Sequence, residues 1–377
     1  MKKIYKFLLL FLISSSCYRS IESSKSTFYI NVSTDDIDGK IKYSDFLEDA
    51  KFIQLETKDS LNIIKEVDEV LIDKDKIFIL DKFGFQGIMA FDTSGKHLFS
   101  LKAGGGSEGE FSHISGMGIN RKNKELIVYS TPNLLYYSYN GKYLKKYKKL
   151  DFLGTNFETN GSINAFIGQD YGLVLTDTNF KVYLKQFDKS KIHKLNFLQP
   201  LQEISQGILF RHSLNDTIYL ANSQGLSNFA IIDFQDKRLN KIDVEKIIKN
   251  DIRELPSGKM GRIKYFFDTK NIIYFAFEYN KMLYVAFYDK HNKKVKIIRG
   301  NSKEQNDVTL ENTLPYVVGS YGGGEGLIAV IDVENTTTID LKKIPITPIT
   351  IKLLKSFHKK ESVGGVLNPN IVLMKIK

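Results

Sequence analysis

The side chains that most often carry out chemistry are present in this chain, but they do not recur at catalytic or metal-binding spacings. The six histidines are scattered, without an H-x-H or H-E-x-x-H pair, and the 377 residues contain a single cysteine. A structural zinc site takes four ligands, mostly Cys and His, at short spacings, so the sequence excludes one. We therefore predict no metal site, no cofactor and no catalytic residue from these motifs.

The segment AGGGSEGEFSHI (103–114) matches two motifs that have a chemical meaning. Gly104, Gly106 and Gly109 fit the dinucleotide motif G-x-G-x-x-G, and Ser107 lies in the nucleophile motif G-x-S-x-G. Both motifs need a helix directly after the glycines. Here the chain continues as the strand-like EFSHISGMGI, so we interpret the segment as a tight crossing between two β elements.

The N-terminus carries the features of an export signal. Lysines precede an apolar run from Phe7 to Ile13, and three serines then lead to Cys17. The run is too short to span a bilayer, which needs about 20 residues, so residues 1–16 are predicted to be a signal peptide. Cys17 resembles the acylated cysteine of bacterial lipoproteins, and two or three acyl chains would hold the protein on a membrane. The polar segment 17–45 is predicted to be a tether.

Composition limits the class of protein further. Hydrophobic residues make up 42% of the chain and charged residues 26%, which excludes wholesale disorder and a polytopic membrane protein. Without residues 1–16, which hold three lysines and no acid, the formal charge falls from +11 to +8. Basic proteins often bind polyanions. Because the N-terminus predicts export, we expect no nucleic-acid partner. We also expect the protein to be a monomer.

The sequence contains a degenerate repeat of about 48 residues. In each unit an apolar strand ends in Asp or Asn before a polar turn; these residues, spaced by 48, 48, 45 and 56, are Asp92, Asn140, Asp188, Asp233 and Asp289. A second short strand lies upstream, as in KIFILD (76–81), a more polar one lies downstream, as in KHLFSLK (96–102), and a weaker one leads each set. Four short antiparallel strands per repeat are typical of a β-propeller blade.

Five full units end near Gly300, and a sixth is one strand short. Its strands are YVVGSY (316–321), GLIAVID (326–332) and NIVLMKIK (370–377), and KFIQLE (51–56) supplies the missing outer strand. Such pairing would close the ring and remove exposed sheet edges. We predict an all-β fold: a six-bladed propeller of four-stranded antiparallel blades over residues 46–377, closed by its N- and C-terminal strands. The alternative is a β-sandwich with a second β domain, but no linker divides the chain.

These segments resemble a known family. The lipoprotein-like start, FIQLE (52–56), the first unit, AGGGSEGEFSHI and the C-terminal NPNIVLMKIK are similar to the six-bladed β-propeller lipoproteins of Bacteroidetes, within the NHL-like and TolB-like propeller group. That family usually has Gly-Pro-Gly-Glu where this chain has Ser107 and Glu108 before Gly109 and Glu110. The resemblance implies fold and compartment: an exported protein, anchored in the outer membrane on its periplasmic or surface side.

An enzymatic function is the alternative hypothesis. Propeller lactonases place carboxylates and Asn around the central channel, and we assign four such residues to the ends of second strands: Asp81, Asp177, Asn222 and Glu278. A metal-dependent hydrolase, lactonase or lyase would use such a ring. The same spacing is also what turn formation requires.

In the predicted meander, loops after second and fourth strands lie on one side of the ring, and loops after first and third strands lie on the other. We assign GLVLTD (172–177) and TIYLAN (217–222) as second strands, and KIHKLNF (191–197) and KRLNKID (237–243) as fourth strands. Turns after third strands would then form one basic rim, which contains Lys96, Lys142, Lys191, Lys237 and Lys294. We expect this rim to rest against anionic lipid headgroups.

Loops after second strands would form the opposite rim, where aromatic side chains alternate with amides. Its candidate ligand-binding residues are Phe83, Phe85, Gln86, Asn133, Asn179, Asn222, Gln224 and Tyr279. Aromatic faces and amides suit glycans or extended peptides. The sequence therefore favours an envelope lipoprotein that serves as a binding or scaffolding module for a glycan, a peptide or an envelope transporter.

Overall fold

The computed structural model describes residues 27–37, 42–57, 62–147, 150–188, 200–212, 214–250, 255–300, 316–331 and 368–377. Within them, 25 strands form six sheets, which are the blades of a propeller. Cys17 and Lys191 lie outside the described residues, as do the predicted signal peptide and KIHKLNF (191–197).

The strands follow the chain around the ring. The first two are β1 (Phe28–Asn31) and β2 (Leu47–Gln54). Blade one contains β3 (Glu69–Asp73), β4 (Lys76–Asp81), β5 (Gly87–Asp92) and β6 (His97–Lys102). Blade two contains β7 (Gly116–Asn120), β8 (Glu125–Ser130), β9 (Asn133–Ser138) and β10 (Tyr143–Tyr147). Blade three contains β11 (Gly154–Thr159), β12 (Asn164–Gly168), β13 (Tyr171–Thr176) and β14 (Val182–Asp188).

The second half of the ring has two additions from the N-terminal strands. Blade four contains β15 (Leu201–Ile204), β16 (Gly207–Arg211), β17 (Thr217–Asn222) and β18 (Gly225–Asp233), with β1 on its outer edge. Blade five contains β19 (Met260–Asp268), β20 (Ile272–Tyr279), β21 (Met282–Asp289) and β22 (Lys294–Arg299). Blade six contains β23 (Tyr316–Tyr321), β24 (Gly326–Ile331), β25 (Asn370–Ile376) and β2.

Helices are few in the described part of the chain. One α-helix, α1 (Lys241–Asn250), follows blade four, and short 3-10 turns cover Thr34–Asp36, Tyr43–Asp45 and Gln235–Lys237. No helix among these residues is long and apolar enough to cross a membrane.

The hydrophobic core lies between neighbouring blades. The middle strands are buried on both faces, as in KIFILD of β4, whereas the outer β6 alternates between partly buried and exposed residues. This difference explains why middle strands are continuous apolar runs and outer strands are not. Each of the six blade junctions has its own cluster; Phe78 and Leu80 of blade one, for example, pack with Met117 and Leu126 of blade two.

The predicted closure of the ring is confirmed. Strand β2 pairs antiparallel with β25, with Lys51 opposite Leu373 and Gln54 opposite Asn370. Strand β25 also pairs with β24, so the C-terminal strand is the third of its blade and β2 is the outermost.

The strand assignment inside units three and four is wrong by one position. GLVLTD and TIYLAN fall on β13 and β17, which are third strands, and the outer strands are β14 and β18. KRLNKID (237–243) is not a strand, because it spans the end of a 3-10 turn and the start of α1. The Asp that ends a strand before a polar turn therefore follows the third strand in blades one and five but the fourth strand in blades three and four.

The predicted tether also needs correction. Residues 28–31 form β1, which pairs in parallel with β18, with Phe28 opposite Ala230 and Asn31 opposite Asp233. Farther along, Ile37 bridges Ile297 at the outer edge of blade five. The N-terminal segment therefore covers the edges of blades four, five and six before the first complete blade begins.

Candidate functional site

The antiparallel meander gives the ring two faces. Successive strands run in opposite directions, so loops after the first and third strands of each blade lie on one side, which we name face A. Loops after the second and fourth strands lie on the other side, face B. The first strands of the blades surround the central channel: β7 contacts β11, β11 contacts β15, β19 contacts β23, and β23 contacts β3.

The predicted ligand rim is divided between these faces. Phe83, Phe85, Gln86, Asn133 and Tyr279 lie at or next to loops that follow second strands, on face B. The one-rim prediction is wrong for Asn179, Asn222 and Gln224, which follow the third strands β13 and β17 and lie on face A.

The aromatic residues of face B differ in exposure. Phe83 is 73% exposed at the tip of the β4–β5 turn, whereas Phe85 is 8% exposed and packs in the core between blades one and six. Phe85 is therefore a core residue and cannot offer its ring to a ligand. Phe83 is the aromatic side chain that this face presents to solvent most fully.

The amide residues on face A contribute to turns and blade contacts. The side chain of Asn222 accepts a hydrogen bond from Gln224 N at 2.9 Å, which closes the β17–β18 turn. The carbonyl of Asn222 accepts from Tyr183 Oη at 2.9 Å, and that of Asn179 from Tyr147 Oη at 3.1 Å. These bonds join blade three to its two neighbours.

The predicted basic rim is likewise divided. Lys96, Lys142 and Lys294 follow third strands and lie on face A, as expected. Lys237 follows the fourth strand β18 and lies on face B, so the prediction of a shared rim is wrong for it. The cause is again the one-strand displacement in blade four.

The candidate enzymatic ring does not assemble. Asp81 accepts hydrogen bonds from the backbone N–H groups of Lys65 at 2.8 Å and Gly84 at 2.6 Å, so its carboxylate shapes a turn. Asp177 and Asn222 follow third strands, and Glu278 pairs with Lys264 at 2.6 Å. Among the described residues, no group of three or more His, Cys, Asp or Glu side chains is placed to hold a metal ion.

The central channel is narrow and contains acidic side chains that the sequence analysis missed. A cavity of about 50 Å³ lies among the inner strands and is lined by Glu69, Glu158, Glu203 and Arg121. Arg121 donates to Glu203 through Nη1 and to the carbonyl of Ile72 at 3.4 Å. Across the same space, Gln202 Nε2 donates to Ser320 Oγ at 2.7 Å.

The pKa values of these three glutamates are raised above the ordinary value. Burial raises the pKa of Glu158, which is 3% exposed, and the charges of Glu69 and Glu203 raise it further. Burial raises the pKa of Glu69 to about 8, although Lys82 opposes the change. For Glu203, burial raises the pKa and Arg121 works against it. Hence the channel disfavours accumulation of negative charge.

A second, larger cavity opens on face A beside blade five. We name it the lysine cavity; its volume is about 650 Å³, and its lining residues are Asp45, Phe46, Lys270, Asn271, Ile272, Phe287, Asp289, Lys290, His291, Asn292, Lys294, Lys296 and Lys377. Of the predicted site residues, it includes Lys294. Its other residues come from β21, the β21–β22 turn and β22, and from three more distant places: the β19–β20 turn with the start of β20, the end of β25 and the segment before β2. The sequence alone does not bring these segments together.

A closed ring of six four-stranded blades defines this protein as a six-bladed β-propeller. The chain belongs to the family described as "Domain of unknown function (DUF4934)", whose model matches residues 27–375. That match includes β1.

A solved structure shares the fold. The crystal structure of a "Putative exported protein" from Bacteroides fragilis is similar with a TM-score of 0.71 and 16% identity, covering 93% of this chain and all of that one. A member of the duf4221 family from Bacteroides vulgatus gives a TM-score of 0.48 and 10% identity, covering 88% of this chain and 97% of that one. No curated protein matches this chain.

Proposed function

We propose that this protein is an exported β-propeller, anchored to the cell envelope through a lipid on Cys17, that acts as a binding or scaffolding module. The export-signal features of residues 1–16 and the similarity to a protein named as exported support the compartment. The fold supports the mode of action, because loops that converge at the ends of a rigid scaffold commonly carry binding residues.

The observation that carries the proposal is the position of β1. Phe28 is held on blade four by pairing with β18, and it follows Cys17 by only 11 residues. At no more than about 3.6 Å per residue, this segment reaches about 40 Å at most. An acylated Cys17 would therefore keep β1 within about 40 Å of the membrane, close enough for the propeller to bind an envelope transporter, a glycan or a peptide there.

Face B is the proposed binding surface, and Phe83 is its centre. The side chain of Phe83 is 73% exposed, so much of its apolar surface contacts water. Burial of this surface by a ligand would be energetically favourable. Gln86, Asn133 and Tyr279 lie on the same face and supply amide and hydroxyl groups for a glycan or peptide. The residues on face A are not part of this surface.

Capture of partners from solubilised envelope membranes tests this proposal. The full-length protein should retain an envelope protein or glycan, and Phe83→Ala should lose it while its melting temperature stays within about 2 °C, since exposed substitutions rarely cost more than about 0.5 kcal/mol. Tyr29→Ala is the matched control, because Tyr29 is 69% exposed on β1 at the outer edge of blade four, three blades away from Phe83. Equal capture by the Phe83→Ala and Tyr29→Ala proteins would refute face B as the binding surface.

A further inference from the structure

The lysine cavity is large enough for a small-molecule ligand. Its volume of about 650 Å³ lies within the range of roughly 300–1,000 Å³ that is typical of such sites. Phe46 and Phe287 stack with ring centroids 3.9 Å apart and an interplanar angle of 4°, and Ile272 adds to this apolar wall. Polar and charged groups surround the wall.

The carboxylates of this cavity are already engaged. Asp289 accepts hydrogen bonds from His291 N at 2.8 Å, Asn292 N at 2.9 Å and Asn292 Nδ2 at 2.8 Å, and these bonds hold its pKa below the usual value. Asp45 accepts from Lys42 N at 3.0 Å. Neither carboxylate forms an ion pair with a lysine of the cavity among the described residues.

Two of the five lysines are also engaged. Lys290 pairs with Asp268 at 2.6 Å and donates to the carbonyl of Thr269. Lys377 donates to the carbonyls of Ser44 at 3.2 Å and Asp45 at 3.0 Å, which holds the segment before β2 against the cavity.

The other three lysines have no carboxylate partner within the described part of the chain. Lys270, Lys294 and Lys296 are exposed, and Lys296 Nζ lies 5.7 Å from the centroid of the Phe46 ring. Ammonium groups that line one concave wall add their fields instead of cancelling them. The cavity therefore combines an apolar wall with an excess of positive charge.

We propose that the lysine cavity binds a small organic anion, in which a sugar-sized body carries a carboxylate, sulfate or phosphate group. The body lies against Phe46 and Ile272, and the anionic group is bound by Lys270, Lys294 and Lys296. The ammonium group of lysine is a compact positive charge, which attracts a carboxylate, sulfate or phosphate group. This site is separate from the partner surface on face B and does not depend on the lipid anchor.

Calorimetric titration of the purified full-length protein with glucose 6-phosphate, glucuronate and glucose tests the proposal. Both anions should bind saturably, glucose should not, and affinity should fall as salt rises. Replacing Lys270, Lys294 and Lys296 with Gln should weaken anion binding about tenfold or more. The control replaces Lys122, Lys124 and Lys146, three exposed lysines of blade two, and removes the same charge without touching the cavity.

A lipid headgroup is a second source of the same anionic chemistry, and a vesicle experiment distinguishes it. If the cavity takes headgroups, flotation with phosphatidylglycerol vesicles should fall in the cavity variant but not in the blade-two control. If it takes soluble ligands, both variants should float equally and only sugar-anion binding should change. The proposal is overturned if the two triple variants lose anion and vesicle binding to the same extent, or if no anion binds.

Discussion

The glutamates that line the central channel predict that this propeller loses stability as pH rises. Glu158 is 3% exposed, and the carboxylates of Glu69 and Glu203 lie near it, so its folded-state pKa is raised by burial and by like charge. Arg121 and the backbone N–H of Thr159 oppose this effect without reversing it. A carboxyl group with a raised pKa binds protons more tightly in the folded chain than in the unfolded chain.

The sign of the pH dependence follows from that difference. The contribution of Glu158 to stability is complete below its unfolded pKa, near 4.5, and is lost as pH rises through its folded pKa. Burial raises the pKa of Glu69 to about 8, so the loss extends across pH 5–8. Each unit of elevation corresponds to about 1.4 kcal/mol. With an unfolding entropy of about 2 cal/mol/K per residue, this free energy per pKa unit changes the melting temperature of a chain this long by about 2 °C.

Thermal unfolding of Glu158→Gln, followed by circular dichroism at several pH values, measures this effect. Gln is neutral and retains the oxygen that accepts the 2.9 Å bond from Thr159 N, so the variant should match the wild type near pH 5 and melt several degrees higher near pH 8. Glu108→Gln, at an exposed position, should follow the wild-type curve. A wild-type melting temperature that rises between pH 5 and pH 8, or a Glu158→Gln protein less stable than wild type at pH 8, would exclude a raised pKa of Glu158 as a source of pH dependence.

Three further predictions concern ring closure, a turn and the basic residues. Deleting residues 370–377 removes β25, the partner of both β24 and β2, so the protein should aggregate on size-exclusion chromatography; a monomer with an unchanged melting temperature contradicts this. Gly95→Ala should lower the unfolding free energy by about 1–3 kcal/mol in urea, because φ is +90° and the new Cβ would lie 1.9 Å from the carbonyl oxygen of Gln54. Gly104→Ala, with φ +125° and no atom within 4 Å, should cost less, and equal costs would exclude the contact as the cause. Replacing Lys96, Lys142 and Lys294 with Gln should weaken binding of a Cys17→Ser protein to anionic liposomes at low salt, because all three lie on face A. Lys237→Gln, on face B, should leave this binding unchanged. Equal effects per charge removed would show that face A is not the surface that contacts the lipid.

The architecture could be predicted from the sequence because the middle strands of the blades are continuous apolar runs, which are easy to recognise. KIFILD of β4 is a continuous apolar run, and NIVLMKIK was assigned to the strand that completes blade six, where β25 lies. Inner strands are harder to recognise, because one side faces a channel with polar side chains. GTNFET of β11 and LQEI of β15 have mixed patterns, so the repeat was aligned on Asp188 and Asp233, which end fourth strands.

The sites were less predictable than the fold for the same reason. A displacement of one strand moves every later loop of a blade to the opposite face, which separated Asn179, Asn222, Gln224 and Lys237 from the residues grouped with them. Glu158 and Glu203 lie on separate strands that come together only when the ring forms, so no local sequence motif marks them. The lysine cavity joins Phe46 to Lys270 and Lys377, and such distant positions meet only after closure.

Anchoring of this propeller to a membrane through Cys17 can be measured by mass spectrometry of the mature protein isolated from cells. We expect a mature N-terminal peptide that begins at Cys17 and carries acyl chains, in a protein recovered with membranes. The Cys17→Ser protein should move to the soluble fraction with its melting temperature unchanged. An unmodified Cys17 thiol in the mature protein, or unchanged membrane association of Cys17→Ser, would rule out the lipid anchor.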